Sequence, residues 1–105
     1  MTTVKFLNDK NGLYGFEIIG HSTTDCDDTE GKLVCAAISS AALMAANTVT
    51  DVIGDTAAAK AEDGKMSLKI ENPSNSSSAV LAGLKLHLNE LSVQYPQKIR
   101  IITEV

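Results

Sequence analysis

Aromatic residues are scarce in this chain of 105 residues, which has no tryptophan, two phenylalanines and two tyrosines. A hydrophobic core therefore has to be built mainly from aliphatic side chains and alanine. With 44% hydrophobic and 21% charged residues the composition is still that of a globular protein. The length suffices for one modest core, and we expect a single domain over residues 1–105.

An excess of basic residues is also lacking. Nine lysines and arginines stand against thirteen aspartates and glutamates, which gives a net charge of −4. This balance argues against a strongly basic surface, so we expect no direct binding to nucleic acid. An acidic chain of this kind suits a basic protein partner.

Metal-ligating residues are few, with two cysteines and two histidines in the whole chain. The spacing of Cys26 and Cys35, with His87 far away, matches no usual zinc pattern. We therefore expect no metal site and no cofactor. In the cytoplasm both cysteines would be reduced thiols.

We expect no targeting signal, because residues 1–5 are not followed by an apolar segment. The longest run of small apolar residues, 33–46, is interrupted by Ser39 and Ser40 and is too short to span a bilayer. We expect a cytoplasmic protein that does not bind a membrane.

The hydrophobic periodicity predicts strands and helices in the order β-β-α-β-β-α-β. The predicted bounds are strands at about 2–8 and 13–20, a helix over 33–53, strands at about 56–62 and 65–71, a helix over 76–94 and a strand over 98–105. Hairpins separated by helices favour an α+β fold, a two-layer sandwich with a mostly antiparallel sheet and both helices on one face.

Both helices show an apolar stripe at helical spacing. In the first helix the predicted core-facing residues are Val34, Ile38, Ala41, Ala45, Val49 and Val52. In the second they are Val80, Leu81, Leu84, Leu88, Leu91 and Tyr95. His87 lies at the edge of this second stripe, and we predict a partly buried structural histidine.

The most informative stretch is 20–39, which joins the end of a predicted strand to the start of a predicted helix. It carries His21 near its beginning and Cys35 near its end. A thiol close to a base is the arrangement that nucleophilic catalysis needs. A thiol in the first turn of a helix is further favoured as the thiolate, and the N–H groups there, including those of Ala36 and Ala37, are suited to hold an oxyanion. The alternative is that Cys35, flanked by apolar residues, belongs to the core.

The connection 22–31 is polar and rich in threonine and aspartate, which is typical of a solvated loop. Such a loop can cover a substrate and become ordered on binding. Gly31 would allow an unusual backbone angle beside the helix start. Cys26 lies in the same loop, either as a surface thiol or as a redox partner of Cys35.

A compound motif is made by Gly20-His21, a polar loop with a late Gly31, and Val34-Cys35-Ala36-Ala37-Ile38-Ser39. This motif resembles that of the ribosomal-processing cysteine proteases, the Prp family. The resemblance implies that His21 is the general base and Cys35 the nucleophile, with Ser39, Gly20 and Gly31 at the substrate. It also implies the same sandwich fold and a homodimer. The substrate would be a precursor of a large-subunit ribosomal protein, which loses a short N-terminal extension.

One position departs from the family pattern, because Lys32 stands where the family usually has an aspartate, three residues before the cysteine. A catalytically weakened module that binds a ribosomal or other protein is therefore the alternative function. A redox switch that uses Cys26 and Cys35 is a third interpretation.

Overall fold

The structure is a computed structural model that describes residues 1–20 and 28–104. It confirms the predicted α+β fold and the order β-β-α-β-β-α-β. The strands are β1 (Thr2–Asp9), β2 (Gly12–Ile19), β3 (Ala57–Glu62), β4 (Lys65–Ile70) and β5 (Ile99–Glu104). They form one five-stranded sheet in the order β3-β4-β2-β1-β5. All neighbouring pairs are antiparallel except β1 and β5, which run parallel.

The first helix, α1, spans Thr29–Asn47 and begins four residues before the predicted start at Leu33. The reason is a helix cap inside the stretch that the sequence suggested to be loop. The Asp28 side chain accepts a hydrogen bond from the Gly31 amide at 2.9 Å, which satisfies one of the N–H groups that a helix start leaves unpaired. Asp28 therefore adds a full turn to the helix before Cys35.

At its other end α1 continues into a π-helical segment, Thr48–Ile53, that ends at Gly54. The Gly54 amide bonds to the Val49 carbonyl, five residues earlier, at 3.0 Å. A π turn holds more residues than an α turn, so it rotates the following side chains away from the stripe expected for an α-helix. Val49 is buried as predicted, but the prediction for Val52 is wrong, because this side chain is 79% exposed.

The second helix, α2 (Asn75–Gln94), packs beside α1 over the same side of the sheet. The core consists of every second residue of the strands on which the helices pack, together with the residues on one side of each helix. Its main members are Val4, Phe6, Phe16, Ile18, Leu68, Ile70 and Ile99 from the strands and Val34, Ile38, Ala42, Ala45, Val49, Leu81, Leu84 and Leu88 from the helical segments. Because strand side chains alternate between faces, this shared core confirms that both helices lie on one face.

An aspartate joins the end of the first helical stretch to the start of α2. Asp55 Oδ2 accepts hydrogen bonds from the Ser74 amide at 2.9 Å, the Ser74 hydroxyl at 2.8 Å and the Ser77 hydroxyl at 2.6 Å. These bonds, above all that from Ser77, hold the pKa of the Asp55 carboxyl below its usual value. Ser77 itself is fully buried, and Ser74 caps α2.

The continuous helical stretch Thr29–Ile53 has 25 residues and a mean hydropathy of 1.6, enough by length and composition alone to cross a membrane. It is longer than the run 33–46 on which the sequence prediction was based. In this fold one side of the stretch packs on the sheet through residues such as Val34, Ile38 and Val49. The core helix of a soluble protein meets the same criterion of length and composition.

Candidate active site

Cys35 lies on α1, half-buried, at a pocket of about 90 Å³ on the side of the helix that faces β4 and β3. Ser39, one turn further along the same helix, lines the same pocket. Ile38 of α1 also contributes, and the rest of the lining comes from one end of strands β1 to β4 and the β3–β4 turn: Thr2, Ile18, Gly20, Glu62, Gly64, Lys65 and Met66. The structure therefore brings three predicted site residues, Gly20, Cys35 and Ser39, to one pocket.

The position of Cys35 within α1 differs from the prediction. We expected a thiol in the first turn, but the helix begins at Thr29, so Cys35 lies in the second turn. The effect of a helix terminus on a charge falls off within the first turn. The predicted effect of the first helical turn therefore does not apply at this position.

The predicted oxyanion donors are affected by the same shift. Ala36 and Ala37 lie beyond the first turn of α1, where the α-helical pattern pairs each amide with the carbonyl four residues earlier. In this conformation their N–H groups are engaged in the helix.

Gly20 is held firmly at the end of β2. Its amide donates to the Gly64 carbonyl at 2.9 Å, and its φ is +93°, in the region that favours glycine. A Cβ at this position would lie 2.8 Å from the carbonyl oxygen of Met1. These restraints fix the chain direction immediately before residue 21. His21 itself and Cys26 lie outside the described residues.

Gly31 is not at the pocket, and the predicted unusual backbone angle is wrong. It is a buried residue in the first turn of α1, and it is absent from the positive-φ glycines of the described chain. Its role is instead to donate its N–H to Asp28. The second Asp28 carboxylate oxygen lies 2.6 Å from Lys98 Nζ, so the same aspartate links the start of α1 to the segment before β5.

Sequence reasoning missed the contribution of the turn between β3 and β4. Glu62 and Lys65 flank this Asp63-Gly64 turn, and both residues contribute to the lining of the pocket. The sequence did contain the signal for the hairpin, since Asp-Gly favours such turns. What it lacked was the order of strands in the sheet, which places this turn beside the end of β2.

His87 is exposed on α2, so the prediction of a partly buried structural histidine is wrong. It lines a separate groove between α1 and α2, on the opposite side of α1 from Cys35. Among residues 1–20 and 28–104 no group of three or more histidine, cysteine or acidic side chains is arranged to hold a metal ion.

The fold and the pocket together define an α+β protein with a thiol beside the ends of its strands. The family model described as cysteine protease Prp matches residues 1–100. The chain belongs to the Prp cysteine protease family.

Solved structures show the same fold. An essential ribosomal processing protease Prp from S. aureus, crystallised with a substrate peptide, superposes with a TM-score of 0.87 at 17% identity, over 99% of this chain and 100% of that one. The same protein with a covalently linked product peptide gives a TM-score of 0.86 at 17% identity, with equal coverage. SMU.848 from Streptococcus mutans gives 0.83 at 19% identity, over 99% and 96%. No protein of curated function matches this chain in sequence.

Proposed function

We propose that this protein is a cysteine endopeptidase that removes a short N-terminal extension from a large-subunit ribosomal protein. The observation that carries the proposal is the pocket that joins Cys35 and Ser39 to Gly20, the residue directly before His21. Family membership supports the reaction class. The S. aureus relative, described as a ribosomal processing protease, supports the substrate class.

In the proposed reaction His21 takes the proton of the Cys35 thiol, and the sulfur attacks the carbonyl carbon of the scissile peptide bond. The carbon–nitrogen bond breaks, and His21 donates a proton to the leaving amine. The resulting thioester is hydrolysed by a water molecule whose proton passes to His21. The products are a peptide with a new carboxylate, a peptide with a new amino terminus, and the regenerated thiol.

Ser39 is the side chain we assign to the developing oxyanion. The amides of Ala36 and Ala37 are engaged in α1, whereas the Ser39 side chain is exposed and lines the pocket one turn from Cys35. A hydroxyl at this distance along a helix can donate to an oxygen held near the thiol. Ser39 therefore takes the place of the backbone donors that the sequence suggested.

The homodimer remains a prediction and forms part of the proposal. Exposed apolar side chains on the outer sides of the two helices support it, among them Leu33, Leu43, Met44 and Leu86. Met44 also lines the groove between α1 and α2. Light scattering after size exclusion should give twice the chain mass for the wild type and a lower mass for Met44→Glu.

The test of the activity is intact-mass analysis of the ribosomal protein precursor after incubation with the purified chain in its wild-type and Cys35→Ala forms. We place the reaction in the cytoplasm, so reducing conditions apply. Loss of a short N-terminal piece with the wild type alone establishes protease, substrate and nucleophile together. Equal binding of the precursor by both forms without cleavage contradicts the proposal and supports a binding module instead.

A further inference from the structure

The outermost strand on the Cys35 side of the sheet is β3. It pairs with β4 on one side, and no other strand within residues 1–20 and 28–104 pairs with its outer edge. Its last residue, Glu62, lines the same pocket as Cys35. The open edge of β3 therefore ends at the pocket that contains Cys35.

The backbone groups on this outer edge can be assigned. The Glu71 amide donates to the Thr56 carbonyl at 3.0 Å, so the polar groups of Thr56 point toward β4. In a strand the direction of these groups alternates from residue to residue. The N–H and C=O groups of Ala57, Ala59 and Ala61 therefore point outward, away from the sheet.

The side chains of the same three residues lie on the helix side of the sheet. Ala57 packs against the hydrophobic core, and the alternation of strand side chains places Ala59 and Ala61 on that face as well. Ala59 and Ala61 are nevertheless exposed. We call these three alanines the alanine shelf, a strip of methyl groups beside an unpaired strand edge.

We propose that the substrate peptide binds as an added strand along the outer edge of β3, with alternate side chains over the alanine shelf and the scissile bond in the pocket at Cys35. This inference rests on the proposed function and adds the binding site to it. A peptide is the occupant because the last residue of this edge lines the Cys35 pocket, and because a relative of the same fold was crystallised with a substrate peptide and with a product peptide.

The chemistry of the edge indicates which peptides fit. Main-chain hydrogen bonds to Ala57, Ala59 and Ala61 supply affinity without regard to sequence, and the surfaces on either side supply selectivity. Side chains that lie over the small alanines have room to be bulky and apolar. The intervening side chains lie on the other face, next to Lys60 and Glu62. The favoured substrate is thus an extended segment with apolar residues at every second position.

The first arm of the test varies the peptide. The probe is a synthetic peptide that covers the N-terminal extension of the ribosomal protein precursor and the residues after it, bound to the full chain carrying Cys35→Ala. Methylation of one backbone nitrogen at a time should weaken binding about tenfold at every second position and little at the positions between, because only alternate N–H groups face β3. An effect without this alternation, or no binding at all, overturns the proposal.

The second arm varies the strand. Ala59→Pro removes an outward N–H without touching the ladder to β4, since proline is tolerated at such edge positions. Ala59→Leu fills the shelf, and Ala58→Leu makes the same change on the opposite face. We expect both Ala59 variants to weaken binding at least about fivefold. Ala58→Leu should weaken binding less than Ala59→Leu, because it leaves the alanine shelf open.

Thermal unfolding shows whether each Ala59 variant is folded. If both variants are folded and bind the peptide as tightly as the parent chain, the proposal is overturned. The intact chain without Cys35→Ala is assayed for cleavage in parallel. If the wild type cleaves the precursor normally but the methylated peptides show no alternating loss of binding, only the added strand is rejected. If the wild type does not cleave the precursor, the proposed function is rejected.

Discussion

The two ends of the first helical stretch are each held by an aspartate, but the two arrangements differ. At the C-terminal end Asp55 accepts three hydrogen bonds on one oxygen, including one from the fully buried Ser77, and so ties the stretch to α2. At the N-terminal end Asp28 caps α1 and pairs with Lys98, and the helix then carries a half-buried thiol to an open pocket. The comparison separates an end that carries structural contacts, here called the stable end, from an end that carries the candidate nucleophile, here called the chemical end.

The largest expected effect concerns the chemical end. Ser39→Ala should lower kcat about 100-fold, because it removes the proposed oxyanion donor, while leaving the free energy of unfolding nearly unchanged for an exposed side chain. Steady-state kinetics on the precursor peptide and thermal unfolding measure the two quantities. The matched control is Ser40→Ala, which is also exposed but faces the groove between the helices. Equal kinetics for both variants would remove Ser39 from the mechanism.

The stable end should show the opposite behaviour. Ser77→Ala removes a buried hydroxyl bonded to Asp55, and we expect a loss of about 1–2 kcal/mol in the free energy of unfolding with kcat unchanged. Urea denaturation and the same kinetic assay provide the measurements. The neighbouring exposed Ser76 offers Ser76→Ala as control. A clear drop in kcat for Ser77→Ala in fully folded protein would mean that the two ends are coupled.

The sequence was sufficient for the fold because each element carried its own local signal. The alternation in Val4, Phe6, Phe16 and Ile18, the Asp-Gly turn and the stripe in the second helix each predicted the element that the structure contains. The helix start was predicted four residues late, because the cap is an Asp28 inside an acidic run whose other members look the same. Val52 was assigned to the core because a π turn leaves no simple mark in the periodicity.

For the site, the motif predicted His21 and Cys35 as catalytic residues with Gly20, Gly31 and Ser39 at the substrate. The structure brings Gly20, Cys35 and Ser39 to one pocket but not Gly31, and His21 lies outside the described residues. The roles of Ala36, Ala37 and Gly31 depended on where the helix begins, so one wrong boundary displaced all three. Glu62 and Lys65 could not be found from the chain alone. They reach the pocket through the order of the strands, which depends on long-range pairing.

Asp28 provides a smaller test of the chemical end. Asp28→Ala removes both the cap and the ion pair, and should cost about 1 kcal/mol of folding free energy. Asp28→Asn keeps an oxygen that can cap and should retain most of this stability. Urea denaturation of the two variants separates the cap from the charge. Equal losses would assign the effect to the pairing with Lys98 instead.

The smallest expected effect is a pH dependence at the stable end. The hydrogen bonds from Ser77 and Ser74 lower the pKa of Asp55 in the folded protein relative to the unfolded chain. The carboxylate therefore contributes stability that is fully present above the usual aspartate pKa and is lost as the pH falls through the lowered value. Thermal unfolding of the wild type and Asp55→Asn, followed from neutral pH downward, should show their difference in stability shrinking in this acidic window. A constant difference would mean that Asp55 acts through the shape of its hydrogen bonds and not through its charge.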